Sequence, residues 1–157
     1  MKKAKSLLTE AQDAALTAQN ELLARGWPTS SQVGRANGSQ RDDPSQWAKN
    51  KRNAGDLLGV WSPTENTWRY PDFQLLSNGS LNPRVKELLN ALALHPDFKA
   101  DKDRGGWHRA FWLYGATWGL AGPDGRPRTA AEVFLEDPDA VIAFAIKDAH
   151  IDPNDVW

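Results

Sequence analysis

Apolar and polar positions recur with a helical period along most of the chain. The first helix is predicted over residues 6–25, because small and apolar residues are spaced there by three and four. The stripe consists of Leu8, Ala11, Ala15, Ala18 and Leu22. We expect it to pack on its own domain in preference to forming a dimer seam, which its small residues would also permit.

Two short helices are predicted next. Thr29 or Ser30 is a suitable N-cap for a helix that ends at Asn37-Gly38. Asp43-Pro44 is typical of an N-cap followed by proline at the first helical position, and it opens a helix that runs to Asn53. A short helix, a turn and a polar second helix indicate a helix-turn-helix unit, although this turn is longer than usual.

The outward face of the third helix is polar and basic. Arginine and lysine can donate to guanine edges or phosphates, and asparagine and glutamine can pair with adenine. We therefore predict DNA contact there, with an ordinary solvated helix face as the alternative. The predicted DNA-binding residues are Gln46, Lys49, Asn50 and Arg52, with Arg69 on the sugar-phosphate backbone.

A β-hairpin is predicted from two short β-type runs, residues 57–61 and 67–70, around a turn-rich linker. It could act as a wing on DNA through Arg69. It could equally hold the two halves of the chain together through Trp61, Trp68 and Tyr70. No other sheet is expected.

The second half is predicted to be helical. Trp107, Ala110, Phe111 and Tyr114 form a helical stripe. A capping box begins at Thr129, and Asp137-Pro138 opens the last helix. The fold class is thus mainly α: a helix-turn-helix unit with a β-hairpin over residues 1–74, then a small helical domain over residues 75–157. The predicted core includes Leu88, Leu92, Trp107, Phe111, Phe134 and Ile142.

Charge is distributed unevenly between the two ends. Residues 1–60 hold nine Lys and Arg against six Asp and Glu, a net charge of +3. Residues 61–157 hold ten against fourteen, a net charge of −4. A basic N-terminal part and an acidic C-terminal part favour a nucleic-acid partner at one end of the chain and a different partner at the other.

Catalytic and metal chemistry find little support in the sequence. Cysteine is absent, and His95, His108 and His150 are far apart. Asp137, Asp139 and His150 are the best catalytic material, but no nucleophile–base pair or phosphate loop accompanies them. We expect no enzyme activity, no metal and no cofactor. No apolar run nears the roughly 20 residues of a membrane span, and the N-terminus is unlike a signal peptide, so a cytoplasmic protein is expected.

The segments Gly55-Asp56-Leu57-Leu58-Gly59-Val60, Arg69-Tyr70-Pro71-Asp72-Phe73-Gln74, Phe111-Trp112-Leu113 and Arg128-Thr129-Ala130-Ala131-Glu132-Val133 follow one another in a characteristic order. Over roughly residues 26–147, this order resembles that of the Xre/MbcA/ParS-type antitoxins. The most specific are Tyr70-Pro71-Asp72-Phe73-Gln74 and the spacing from Phe111-Trp112-Leu113 to Thr129-Ala130-Ala131-Glu132. The resemblance implies a DNA-binding unit followed by a toxin-binding domain. It also implies a toxin that acts on NAD or transfers ADP-ribose, and repression of the operon by a dimer. The long turn at 37–43 and the insertion at 123–127 depart from the family pattern.

The C-terminal tail is irregular and acidic, and it ends in tryptophan. Most of the eight tryptophans should be core, but one at the last residue cannot easily reach a core of its own. A toxin cleft that binds an anionic nucleotide would suit carboxylates and an indole. The predicted partner-binding residues are therefore Asp152, Asp155, Val156 and Trp157, with a loose chain end as the alternative.

The function that the resemblance implies is that of a type II antitoxin. Such a protein neutralises a cognate toxin, binds operator DNA as a homodimer and needs no membrane. The alternative is a prophage or plasmid transcriptional regulator whose C-terminal half only dimerises.

Overall fold

The computed structural model describes residues 2–150, with side chains from residue 9 onward, and this part of the chain is mainly helical. The helices are α1 (Lys2–Leu23), α2 (Ser30–Ala36), α3 (Ser45–Asn53), α4 (Val85–Leu92), α5 (Trp107–Tyr114), α6 (Ala130–Glu136) and α7 (Pro138–Ala149). The strands are β1 (Val60–Ser62), β2 (Thr67–Arg69), β3 (Ala116–Thr117) and β4 (Arg128–Thr129). Single 3-10 turns occupy Asp72–Gln74, Pro96–Phe98 and Trp118–Leu120. The predicted fold class is confirmed.

The predicted hairpin is present, and a second, smaller strand pair accompanies it. Strands β1 and β2 are antiparallel, with Trp61 opposite Trp68. Strands β3 and β4 also pair antiparallel, with Ala116 opposite Thr129. The expectation of no other sheet is therefore wrong. Two residues per strand are too few to produce a recognisable alternating pattern in the sequence.

Among its described side chains, from residue 9 onward, helix α1 packs on the body of the protein only near its C-terminal end. Residues 9–17 are exposed, and Leu16 retains 41% of its accessible surface. Leu22 and Leu23 pack against a cluster formed by Trp27, Val60, Trp107 and Ala110. The expectation that the stripe packs on its own domain is thus wrong for Ala11 and Ala15, which are exposed, while Leu22 packs as expected. The side chain of Leu8 lies outside the described residues.

Local capping signals define several helix starts as predicted. The Thr29 side chain accepts from the Gln32 N–H at 3.2 Å, while the Gln32 side chain accepts from the Thr29 N–H at 2.9 Å. Thr129 and Glu132 form the same reciprocal pair at the start of α6. Asp137 accepts from the Ala140 N–H at 3.2 Å at the start of α7. Each pair satisfies N–H groups that a helix start otherwise leaves unpaired.

Among the residues that the structure describes, the buried side chains form three core clusters. The largest lies among α4, α6 and α7, and the cluster of α2 and α3 contains Val33, Ala48, Leu57 and Tyr70. Leu58 and Phe73 precede residue 75 but belong to the largest cluster, so the two halves share apolar contacts. Of the predicted core, Leu88, Leu92, Trp107 and Phe134 are buried, and Phe111 and Ile142 are half-buried. No described helix is long and apolar enough to cross a membrane.

Candidate nucleic-acid interface

Helices α2 and α3 are packed together at backbone distance. Gly34 lies against Pro44 so closely that a Cβ at residue 34 would overlap the Pro44 carbonyl oxygen. Val33 of α2 and Ala48 of α3 are both buried in the same cluster. Since close-packed interiors adjust little, this contact fixes the orientation of α3 on the protein.

The long connection between α2 and α3 is anchored at both ends. The Asn37 side chain donates to the Val33 carbonyl at 2.8 Å and accepts from the Leu81 N–H at 2.7 Å. Asp43 accepts from the backbone N–H of Ser45 at 3.2 Å, but α3 begins at Ser45 with Pro44 as its N-cap, one residue later than predicted. The turn is longer than that of a standard helix-turn-helix, but hydrogen bonds hold it.

The exposed face of α3 carries the neutral and basic groups predicted for it. Lys49, Asn50 and Asn53 are exposed, while Gln46 is half-buried. Gln46 Nε2 donates to Asn50 Oδ1 at 3.0 Å. Within the described residues, the Gln46 side-chain oxygen Oε1 and Asn50 Nδ2 make no hydrogen bond. An acceptor therefore lies beside a donor on this face. An adenine edge in the major groove offers the matching donor and acceptor.

Arg52 does not project freely from α3 as expected. Its Nη1 donates to the Tyr70 hydroxyl at 2.6 Å, and its guanidinium carbon lies 4.1 Å from the centre of the Trp68 ring. The hairpin folds back beside the C-terminal half of α3 and covers this side chain. The expectation of an outward Arg52 is corrected accordingly.

Arg69 is also held within the protein, and the hairpin joins the two halves. Arg69 pairs with Glu65, and its Nη1 donates to the Trp27 carbonyl at 3.2 Å. The Trp61 N–H donates to the Gly105 carbonyl at 3.0 Å, and Trp107 Nε1 donates to the Trp61 carbonyl at 2.8 Å. These contacts favour the alternative in which the hairpin holds the two halves of the chain together, and not the one in which it contacts DNA as a wing.

The Tyr70–Gln74 segment, which carries much of the family resemblance, has a structural role. The buried Tyr70 hydroxyl accepts from Arg52 and from Ser30 Oγ. The buried Gln74 side chain accepts from the Leu58 N–H at 2.6 Å and donates to the Leu58 and Pro71 carbonyls at 2.8 and 3.0 Å. The segment therefore joins the end of the hairpin to Leu58, just before β1.

A further contact fixes the segment to the second half of the chain. Tyr114 donates to Asp72 Oδ1 at 2.6 Å, and its oxygen accepts from the Phe73 N–H at 3.1 Å. Burial and the hydrogen bond to Asp72 raise the pKa of Tyr114 well above its usual range. The Tyr114 hydroxyl therefore remains protonated as a donor.

A cleft of about 460 Å³ adjoins the C-terminal end of α3. Three arginines line it: Arg52 from α3, Arg104 from the loop before α5, and Arg109 from α5. Neither Arg104 nor Arg109 was predicted as a site residue, because their proximity to α3 depends on contacts between distant segments.

A large aromatic side chain of the second half is exposed, although its exposure was not predicted. Trp118 keeps 73% of its accessible surface, although most tryptophans were expected to be buried. Its neighbour Gly119 lies against the Phe144 ring, which leaves no room for a side chain at residue 119. Exposed tryptophans are typical anchors of protein interfaces. The predicted partner residues Asp152, Asp155, Val156 and Trp157 lie outside the described residues.

Neither a metal site among the described residues nor a match to a known protein bears on this interface. Within the described residues, no group of three or more His, Asp or Glu side chains could hold a metal ion. Comparison with protein-family models gave no match, and comparisons with curated proteins and with solved structures gave none either.

Proposed function

We propose that this protein is a cytoplasmic antitoxin that binds operator DNA through α3 and a cognate toxin through its second half. The observation that carries the DNA-binding part is the exposed face of Lys49, Asn50 and Gln46 on the fixed α2–α3 pair. A reading helix must be held rigidly, since base-edge hydrogen bonds tolerate little misplacement. The Gly34–Pro44 contact supports such rigidity.

Lys49 and the Gln46–Asn50 pair take different roles in this proposal. Lys49 contacts a phosphate, so it contributes affinity for any sequence. Asn50 and Gln46 contact a base edge, so they contribute the preference for the operator. Arg52 and Arg69 act differently from the prediction. The hairpin holds Arg52, which reaches DNA only from the cleft beside α3. Arg69, on the hairpin itself, is held by Glu65 and the Trp27 carbonyl.

The toxin-binding part is supported by the resemblance and by Trp118. An antitoxin must keep an apolar anchor accessible in the free protein, and Trp118 is exposed on the second half. Homodimerisation belongs to the same proposal, and the exposed residues 9–17 of α1 offer a surface for it. The toxin is one that acts on NAD or transfers ADP-ribose, as the resemblance implies.

Co-expression with the product of the adjacent gene tests the function. We expect that product to be toxic alone, to be harmless with this protein, and to co-purify with it. Trp118→Ala should weaken co-purification at an unchanged melting temperature, because the side chain is mostly exposed. Leu94→Ala removes another exposed apolar side chain and is the matched control. A non-toxic neighbour that does not co-purify, together with intact operator binding, would favour a regulator without a toxin.

A further inference from the structure

We infer that the cleft between α3 and the loop before α5 binds a backbone phosphate of the same DNA that α3 contacts. This inference rests on the proposed DNA-binding function and extends its interface to the second half of the chain. The cleft of about 460 Å³ is far larger than the roughly 10–15 Å³ that a cavity needs to hold one water molecule. A phosphodiester group can therefore enter it.

The cleft is built by close contacts between distant segments. Gly106 lies against Gly59 so tightly that a Cβ at residue 106 would overlap the Gly59 carbonyl oxygen. Gly106 also has a φ of +77°, which favours glycine. The Trp61–Gly105 hydrogen bond holds the same loop on the hairpin. Both contacts place Arg104 beside the end of α3.

The charge of the cleft is positive. Arg109 donates to the buried Asp103 carboxylate at 2.9 Å, so its charge is balanced. Within the described residues, the Arg52 guanidinium makes no ion pair: it donates to the neutral Tyr70 hydroxyl and lies over the Trp68 ring. Arg104 is exposed and makes no hydrogen bond or ion pair within the described residues. Two arginine charges are thus uncompensated, and none of the described residues that line the cleft is acidic.

The helix end that adjoins the cleft does not cancel this charge. A helix C-terminus carries about half a negative charge on its free carbonyls. Here the Gly55 N–H bonds the Arg52 carbonyl at 3.1 Å, and the Asp56 N–H bonds the Lys51 carbonyl at 2.9 Å. These carbonyls are hydrogen-bonded, and the positive charge of two guanidinium groups exceeds the remaining negative charge of the helix end. Arginine also matches phosphate geometry with two parallel donors.

Position identifies the phosphate as that of DNA bound to α3. Asn53 lines the cleft, and it lies three and four residues after Asn50 and Lys49 on the same helix. Residues at these spacings are neighbours on a helix surface. The cleft therefore continues the exposed polar face of α3, and a strand lying on that face brings a phosphate to Arg104 and Arg52.

The test is a fluorescence-anisotropy titration of a duplex from upstream of the gene, over a series of salt concentrations. Arg104→Ala should lower the slope of log K against log salt by about one, since each phosphate contact contributes about 0.9. We expect affinity to fall about three- to tenfold near physiological salt. The melting temperature should not change, because Arg104 makes no contact that folding needs. Arg126→Ala, which removes an equal charge outside the cleft, should leave slope and affinity close to wild type.

Three results would overturn the inference in distinguishable ways. If Lys49→Ala weakens binding but Arg104→Ala leaves slope and affinity unchanged, α3 binds DNA and the cleft takes no phosphate. If Arg104→Ala and Arg126→Ala cause equal losses, the effect is one of overall charge. If the wild-type protein binds no duplex, the proposed function itself fails and the cleft proposal fails with it.

Discussion

Replacing Gln74 by leucine should destabilise the protein more than its small change in volume suggests. The amide is fully buried and bonds three backbone groups: the Leu58 N–H, the Leu58 carbonyl and the Pro71 carbonyl. Leucine removes all three hydrogen bonds and leaves the Leu58 N–H and carbonyl without a side-chain partner in an apolar environment. Each such group costs about 1–3 kcal/mol, and the three share one site, so we expect a total loss of about 3–5 kcal/mol.

Denaturant unfolding followed by tryptophan fluorescence measures this loss. The midpoint should shift strongly while the slope stays unchanged, because the same surface is exposed on unfolding. Typical domains are stable by about 5–15 kcal/mol, so Gln74→Leu should be partly unfolded at 37 °C if stability is at the low end. A loss below about 1 kcal/mol would refute the role given to this side chain.

Gln74→Glu provides a test that depends on pH. A carboxylate can accept from the Leu58 N–H, but its other oxygen faces the Leu58 and Pro71 carbonyls. Burial and these carbonyls raise the pKa of the introduced carboxyl in the folded state. The protonated carboxyl can donate to these carbonyls. Its contribution to the free energy of unfolding is therefore fully present below the unfolded carboxyl pKa of about 4.3, and it is lost as pH rises through the raised folded pKa. A variant equally stable at acidic and neutral pH would contradict this.

Three further predictions address the helix pair, the Tyr114 contact and the tail. Gly34→Ala should cost about 1–3 kcal/mol in denaturant unfolding and weaken DNA binding, because its Cβ overlaps the Pro44 carbonyl. An unchanged midpoint would show that α3 can move. Tyr114 has a folded pKa above its unfolded value of about 10, so it stabilises the fold below that pH and this contribution is lost as pH rises further. Melting temperatures should thus fall less steeply above about pH 10 in Tyr114→Phe than in wild type, and equal slopes would contradict the raised pKa. Deleting residues 151–157 should weaken toxin neutralisation but leave DNA affinity and melting temperature unchanged, and full neutralisation by the truncated protein would show that the tail takes no part.

Features with local causes could be predicted from the sequence. The cap at Thr29 and the capping box at Thr129 involve groups three residues apart, so the pattern contains the whole interaction. The exposed positions of Lys49 and Asn50 also follow from helical spacing alone. The mainly helical fold was predictable for the same reason.

Features that depend on distant segments could not be predicted. Helical spacing places Arg52 on the outer face of α3, but nothing nearby in sequence reveals that Trp68 and Tyr70 cover it. Arg104 joins the same cleft only because Gly106 packs on Gly59. The stripe of α1 has a helical period whether or not another element lies against it, so its exposure was also hidden.

Hydrogen–deuterium exchange of the full chain tests most directly whether one protein binds DNA at one end and a toxin at the other. The exchange of each segment is compared for the free protein, the complex with upstream DNA, and the complex with the adjacent gene's product. We predict that DNA slows exchange in residues 45–53 and in the loop around Arg104. We predict that the protein partner slows exchange around Trp118 and leaves α3 unchanged. Protection of the same segments by both partners, or of neither region by its assigned partner, would contradict the two-ended function.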